Sequence, residues 1–217
     1  MNHGVLAVTI AGLAASAGAH VVHSNISNQT SAFQGITNFD PNLSMVDDLR
    51  PDFGGELASL TFTYGYSGGF GGPGAIMLDI AVALYLDDGD GAYDPTVDAP
   101  LFSGLVSDLV AVQGQIHQTT IAFPSGIMIP DGATVWLSNA YQPDAFGFLN
   151  LGVGLYNDYT RGGSDSNVYI YDSDTGTVSA FFQFDGAGVG AVLRIVPTPS
   201  AAAVLGLAGV AALRRRR

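Results

Sequence analysis

Apolar residues alternate with polar or small residues along much of the chain. The stretch LTFTYGY, residues 60–66, places its bulky side chains on one face and its threonines on the other. The stretch IMLDIAVALYL, residues 76–86, has an aliphatic residue at every second position. A period of two residues is that of a β-strand, so both stretches are predicted strands, the second long and largely buried.

Six further stretches have the composition of short strands, and turn sequences such as Pro130-Asp131-Gly132 and Asp174-Thr175-Gly176 separate several of them. They are residues 118–123, 134–140, 146–154, 167–172, 178–184 and 191–196. We expect residues 24–55 to form an irregular lead-in with one or two edge strands. No convincing amphipathic helix and no internal repeat is found. The pattern predicts an all-β fold, a single antiparallel β-sandwich of jelly-roll type over residues 20–195.

The first residues have the features of an export signal. An apolar run from Val5 to Ala15 precedes small residues that end in Ala17-Gly18-Ala19, a typical cleavage pattern. The run is too short to span a bilayer comfortably. Residues 1–19 are therefore predicted to be a cleaved signal peptide.

The last residues, VPTPSAAAVLGLAGVAALRRRR, form a second distinct segment. Pro197 and Pro199 end any preceding strand because proline lacks an N–H group. Residues 200–213 are uncharged, and at 1.5 Å per residue they give a helix of about 21 Å, short of a roughly 30 Å hydrocarbon core. The terminal arginine block then favours a short membrane helix whose cationic end stays on the cytoplasmic side.

This order of features, Pro197-Thr198-Pro199-Ser200, an apolar helix and Arg214, Arg215, Arg216 and Arg217, resembles the PEP-CTERM sorting signal of Gram-negative bacteria. Thr198 stands where the namesake motif has Glu. The resemblance covers residues 196–217 and implies processing by a membrane protease of the exosortase type. It also implies a transient membrane contact through the C-terminus, followed by attachment to or release from the cell surface.

Charge and cysteine content narrow the function further. Outside the terminal block the chain has three arginines and 19 acidic side chains, so the body has a formal net charge of 3 − 19 = −16. Such a field repels nucleic acid and anionic membrane surfaces and favours cations, so nucleic-acid binding is excluded. The chain has no cysteine. The stability of an exported body must then come from core burial or a bound metal.

The best candidate for an ion site is LYLDDGDGAYDPTVDAPL, residues 84–101, which has acidic residues at Asp87, Asp88, Asp90, Asp94 and Asp98. Hard oxygen ligands along a tight, glycine-containing loop suit calcium. Aligned to an EF-hand loop, the first position is Leu86, which cannot bind an ion, and no flanking helix is predicted. We therefore expect a degenerate Asp/Gly loop that holds one structural calcium ion, with a solvated acidic turn as the alternative.

The sequence leaves three other kinds of function open. Aromatic side chains such as Trp136 and Tyr141 could stack on sugar rings in a lectin-like carbohydrate-binding module, although aromatic residues at strand spacing more often form core. A glycan-active enzyme would need two carboxylates flanking a sugar, and no pair stands out. A mature N-terminus at His20 could also hold copper together with His23 or His117.

The sequence thus predicts an exported, surface-sorted structural or matrix-associated protein of a Gram-negative bacterium, without a defined catalytic activity. Carbohydrate binding is the first alternative, and a glycan-active enzyme is the second. The partners expected are an exosortase-like protease and an extracellular polysaccharide.

Overall fold

The computed structural model describes residues 18–26, 29–37, 42–67, 73–143, 150–156, 159, 161–165, 167–183 and 188–196. The predicted sorting segment, except Val196, and all but the last two residues of the predicted signal peptide lie outside these ranges. In the part of the chain that is described, no helix is long and apolar enough to cross a membrane.

The described residues form β-strands joined by turns and loops. The strands are β1 (His20–Ser24), β2 (Gln29–Thr37), β3 (Leu43–Leu49), β4 (Gly55–Tyr66), β5 (Ala75–Leu86), β6 (Ala99–Val112), β7 (Gln115–Ala122), β8 (Met128–Ile129), β9 (Val135–Pro143), β10 (Asn150–Tyr156), β11 (Asn167–Asp172), β12 (Thr177–Gln183), β13 (Gly188–Val189) and β14 (Ala191–Val196).

These strands build two antiparallel sheets. The eight-stranded sheet has the order β1-β14-β4-β10-β13, with β2 paired to β10 and with β7 and β8 paired to β4. The six-stranded sheet has the order β12-β11-β3-β9-β5-β6. The predicted all-β antiparallel sandwich is confirmed.

One hydrophobic core lies between the two sheets. It joins Leu60 and Phe62 of β4 to Ile80 and Leu84 of β5 and Leu137 of β9, all of them buried. Burying such a side chain stabilises the fold by about 1.5–3 kcal/mol. The alternation predicted for β5 is confirmed from residue 76 to residue 84, where every second position is buried while Met77 between them is 44% exposed; Leu86, at the end of the strand, is half-buried.

Residues 24–55, expected to be an irregular lead-in with one or two edge strands, contain β2 and β3. The expectation of an edge position is wrong for β3. β3 pairs with β11 on one side and β9 on the other, in the interior of the six-stranded sheet. Met45, Val46 and Leu49 are completely buried. Both faces of β3 are covered, and the strand therefore lacks the alternation by which a half-buried strand is recognised.

The longest strand, β6, was not predicted. Its apolar residues come in pairs, Leu101-Phe102, Leu105-Val106 and Leu109-Val110, which repeat every four residues and hide the period of two. The pairing of β6 with β5 shifts register at two places. Each such irregularity changes which side chain faces the core, and β6 tolerates it because it is an edge strand.

The outer face of the six-stranded sheet carries a second, smaller cluster. Val46, Trp136 and Tyr93 are buried there, with Tyr85, Tyr169 and Tyr171 packed against them. Tyr93 belongs to the connection between β5 and β6, residues 87–98. This connection, hereafter the acidic loop, therefore covers part of the outer face of the sheet.

Candidate functional site

Hydrogen bonds from backbone amides to the loop's own carboxylates fold the acidic loop into successive tight turns. In each of them a carboxylate accepts the amide of the residue two positions ahead, as is typical of Asp in turns. The pairs are Asp87 with Gly89 (3.2 Å), Asp88 with Asp90 (3.2 Å), Asp90 with Ala92 (2.8 Å) and Asp94 with Thr96 (2.9 Å). Gly89 and Gly91 have φ angles of 106° and 75°, in the region that favours glycine.

Asp98 closes the loop from the inside. One of its oxygens accepts the amide of Asp88 at 3.1 Å, and the other accepts the amide of Asp94 at 2.8 Å. Burial raises the pKa of this carboxyl group, whose residue is only 3% exposed. Because both oxygens already hold backbone amides, Asp98 shapes the loop and does not present a carboxylate to solvent.

Three of the five predicted ligands come together. Asp87, Asp88 and Asp90 each place a carboxylate oxygen within 4.8 Å of the other two. Asp94 and Asp98 are not in this group. Hydrogen bonds from the hydroxyl and amide of Thr96 lower the pKa of Asp94. Within the described ranges, the ion pairs join Arg50 to Asp48 and Arg161 to Asp52, so neither involves the acidic loop.

The chemistry of this group suits a hard cation. Its donors are carboxylate oxygens alone, and calcium takes six to eight oxygen ligands, several of which can be water. Asp88 and Asp90 are exposed. The arrangement therefore resembles a solvent-accessible site with few protein ligands, and differs from an EF-hand in having strands instead of helices on both sides.

The prediction that Trp136 and Tyr141 bind a ligand is wrong. Their exposures are 1% and 2%, so neither ring has a face open to a sugar. Trp136 lies under the acidic loop and donates its indole N–H to Asp87 Oδ1 at 3.1 Å. Tyr141 faces the core between the sheets, and burial raises its pKa.

Trp136 instead belongs to an aromatic cluster that joins the loop to the sheet. Tyr93 packs edge-to-face on Tyr85, Trp136 and Tyr171, at centroid distances of 5.6, 5.9 and 5.4 Å. Trp136 contacts Tyr169 in the same manner at 6.0 Å. Aromatic pairs in this geometry contribute about 0.5–1.5 kcal/mol beyond their buried area. The cluster fixes the acidic loop against β5, β9 and β11.

Sequence reasoning missed a second carboxylate group, formed by Asp47, Asp48 and Asp165. These residues also bring one oxygen each within 4.8 Å of one another. Asp47 accepts the amide of Val189 at 2.6 Å, and Asp48 accepts the amide of Asp165 at 2.8 Å. Burial, and next to it the charge of Asp48, raises the pKa of Asp47 well above its ordinary value.

This second group ties distant parts of the chain together. Asp48 forms an ion pair with Arg50 at 2.6 Å, and Ser164 donates its hydroxyl to Asp47 at 3.2 Å. Burial also raises the pKa of Asp48. The only local signal was a pair of aspartates in an otherwise apolar strand. Asp165 joins them from more than 100 residues away, and no spacing rule could reveal this.

The histidines considered for copper have separate surroundings. His20 is exposed, whereas His23 on the same strand is completely buried. His117 accepts the amide of Val112 through Nε2 at 3.0 Å and stacks on Tyr64. Neither of the two carboxylate groups found among the described residues includes a histidine.

Fold and site together define an all-β antiparallel sandwich protein with an acidic hairpin loop packed on the outer face of one sheet. No family model and no curated protein matches the chain. Among solved structures, infectious bursal disease virus Gt strain matches with a TM-score of 0.36 and 10% identity, covering 82% of this chain and 40% of its own. The T13 IBDV viral particle matches with 0.34 and 11%, covering 85% and 41%.

This chain thus spans about two fifths of the length of the viral chains that it matches. The fold is established by the strand pairing and the core of this chain.

Proposed function

We propose that the chain is an exported, surface-sorted structural or matrix-associated protein of a Gram-negative bacterium, without a defined catalytic activity. The observation that carries the proposal is the position of the strands relative to the two terminal signals. β1 begins at His20, directly after the predicted cleavage site, and β14 ends at Val196, directly before the proline motif. The sandwich thus occupies the interval between the two predicted signals.

The carboxylates of the body support a structural role. Asp98 holds two amides of the acidic loop, Asp47 holds β13 to β3, and Asp48 holds the backbone at residue 165. Each of these groups stabilises the fold by ordering backbone. In this proposal an exosortase-like protease processes the C-terminus during a transient membrane contact, the partner outside the cell is extracellular polysaccharide, and nucleic acid is not a partner.

The sorting segment can be tested apart from the body. Replacing Arg214 to Arg217 with serine is expected to leave the folding of the sandwich unchanged and to alter retention or C-terminal processing. The reason is that the arginines are predicted to anchor the cytoplasmic side of a short helix, and in sequence they follow the last strand, β14, which ends at Val196. Cell fractionation and the mass of the mature chain measure the effect, with Arg161→Ser as the control. Loss of the folded body, or unchanged fractionation and mass, would contradict the proposal.

A structural calcium ion in the acidic loop is the second part of the proposal. Isothermal calorimetry on the purified body is expected to give heat of calcium binding, and EDTA is expected to lower the melting temperature. A ligand that binds only the folded state, at 100 times its Kd, stabilises it by about 2.7 kcal/mol. The double variant Asp88→Asn, Asp90→Asn should lose both effects because it removes two of the three clustered carboxylates.

The turn between β11 and β12 offers a matched control. There Asp172 accepts the amide of Asp174 at 2.9 Å, the same local bond as in the acidic loop. Asp172→Asn, Asp174→Asn removes the same charge and should leave calcium binding intact. Absence of heat together with a melting temperature insensitive to EDTA would refute calcium binding.

A further inference from the structure

The outer face of the six-stranded sheet contains a pocket of about 180 Å³ beside the acidic loop. Its floor follows from the strand register. Ala81, Ala140, Ser44 and Tyr171 stand opposite one another in a row across β5, β9, β3 and β11. Because three of these four side chains are small, the row leaves a depression in the sheet face.

Tyrosines form the walls of this depression. Tyr85 belongs to β5, Tyr171 to β11 and Tyr93 to the acidic loop, and all three line the pocket. Tyr93 contacts both other rings edge-to-face, so the three rings support one another at fixed angles. An ordered aromatic wall loses little side-chain freedom when a ligand binds against it.

The remaining lining is polar but uncharged. Ser44, Ser103 and Ser138 reach the pocket from three strands, and none of the described side chains that line it is charged. Serine hydroxyls both donate and accept hydrogen bonds, and tyrosine adds apolar ring faces. A ligand that matches this lining needs several hydroxyl groups and a partly apolar ring face.

Size and charge narrow the ligand further. Pockets for drug-sized ligands measure roughly 300–1,000 Å³, so this pocket holds a single small ring at a time. The body carries a formal net charge of −16, which opposes entry of an anion. A cation would need a carboxylate within the lining, and none is present there.

We propose that this pocket binds one uncharged pyranose unit, with the half-buried rings of Tyr85 and Tyr171 against the sugar and the serines at its hydroxyl groups, while the buried Tyr93 holds the two rings in place. The activity goes beyond the structural role proposed above. It replaces Trp136 and Tyr141, which are buried, with Tyr85 and Tyr171, which are only half-buried and border the depression. It does not depend on the sorting segment.

Saturation-transfer NMR with neutral methyl pyranosides of glucose, galactose, mannose and N-acetylglucosamine tests the proposal, with methyl glucuronate as the anionic comparison. At least one neutral glycoside is expected to receive saturation, with a Kd in the millimolar range, and methyl glucuronate is not. Calcium chloride is kept in the buffer throughout. The outcome is then independent of the calorimetric test, and either proposal can fail alone.

Two serine variants locate the binding. Ser103→Leu fills the pocket from edge strand β6 and should weaken binding at least tenfold. Ser179→Leu makes the same exposed substitution on the opposite edge strand, β12, and should leave binding unchanged. Circular dichroism and the melting temperature verify that both variants are folded. Absence of saturation for every neutral glycoside, or equal loss in the two variants, would overturn the proposal.

Discussion

Trp136→Ala is expected to lower the free energy of unfolding by about 3–5 kcal/mol, the usual cost of truncating a fully buried tryptophan. The indole ring is 1% exposed and packs between Tyr93 and Tyr169. Its N–H group also anchors Asp87 of the acidic loop. The variant therefore loses buried area and ring contacts, and detaches the loop from the sheet at the same position.

Urea denaturation followed by far-UV circular dichroism measures this effect, because the variant removes the single tryptophan and with it the fluorescence signal. Trp136→Phe is the matched control. It retains most of the ring and loses the hydrogen bond to Asp87, for which about 1–2 kcal/mol is expected. A loss below 1 kcal/mol for Trp136→Ala would mean that the ring is not buried under the loop.

The misassignment of Trp136 has a physical origin. In β9 the odd positions, such as Leu137 and Tyr141, face the core between the sheets, and position 136 faces outward. In an ordinary sandwich an outward ring would be exposed and available to a ligand. Here the connection between β5 and β6 folds back over it. Alternation in sequence gives the face of a residue but does not reveal what a distant loop places on that face.

One part of the acidic loop could be predicted from the sequence, and another part depended on the tertiary fold. The spacing of Asp and Gly indicated a tight turn with clustered carboxylates, and Asp87, Asp88 and Asp90 do cluster. The predicted set of calcium ligands also included Asp94 and Asp98, which do not belong to this group. Asp98 instead points inward to hold two amides, because the loop connects two strands and must fold back on itself. These hydrogen bonds to backbone amides set the orientation of the Asp98 side chain. The spacing of acidic residues along the sequence does not reveal them.

The strand with the clearest period of two, β5, was predicted within one residue, and β4 was predicted over residues 60–66 but begins at Gly55, whereas β3 and β6 were not predicted. β3 is covered on both faces, and β6 contains two register shifts, so neither alternates. The group of Asp47, Asp48 and Asp165 depends on the same hidden strand. Its recognition requires the position of β3 in the sheet, which is a property of the tertiary fold.

His23 gives the fold a second measurable property, a dependence of stability on pH. Its ring is completely buried and packs edge-to-face on Tyr159 at 5.6 Å. Burial lowers its pKa from 6.5 to about 4, against the opposing effect of the Asp52 carboxylate. Between these two values the unfolded chain binds a proton that the folded chain does not. The contribution of His23 to the free energy of unfolding is therefore fully present above pH 6.5 and is lost as the pH falls toward 4.

Acidification from pH 7 to 4 is accordingly expected to remove about 3 kcal/mol of stability through His23, at 1.36 kcal/mol for each pKa unit. The raised pKa of Asp47 acts in the opposite direction, because the folded state holds that proton at a pH where the unfolded chain has released it. His23→Phe, which keeps a ring against Tyr159, should reduce the acid-side loss by this amount, and Asp47→Asn should increase it. Urea unfolding at a series of pH values from 4 to 7 gives, for each variant, the slope of the free energy of unfolding against pH. An unchanged slope for His23→Phe would mean that the histidine takes up its proton equally well in the folded state, and hence that the ring is not sequestered from water.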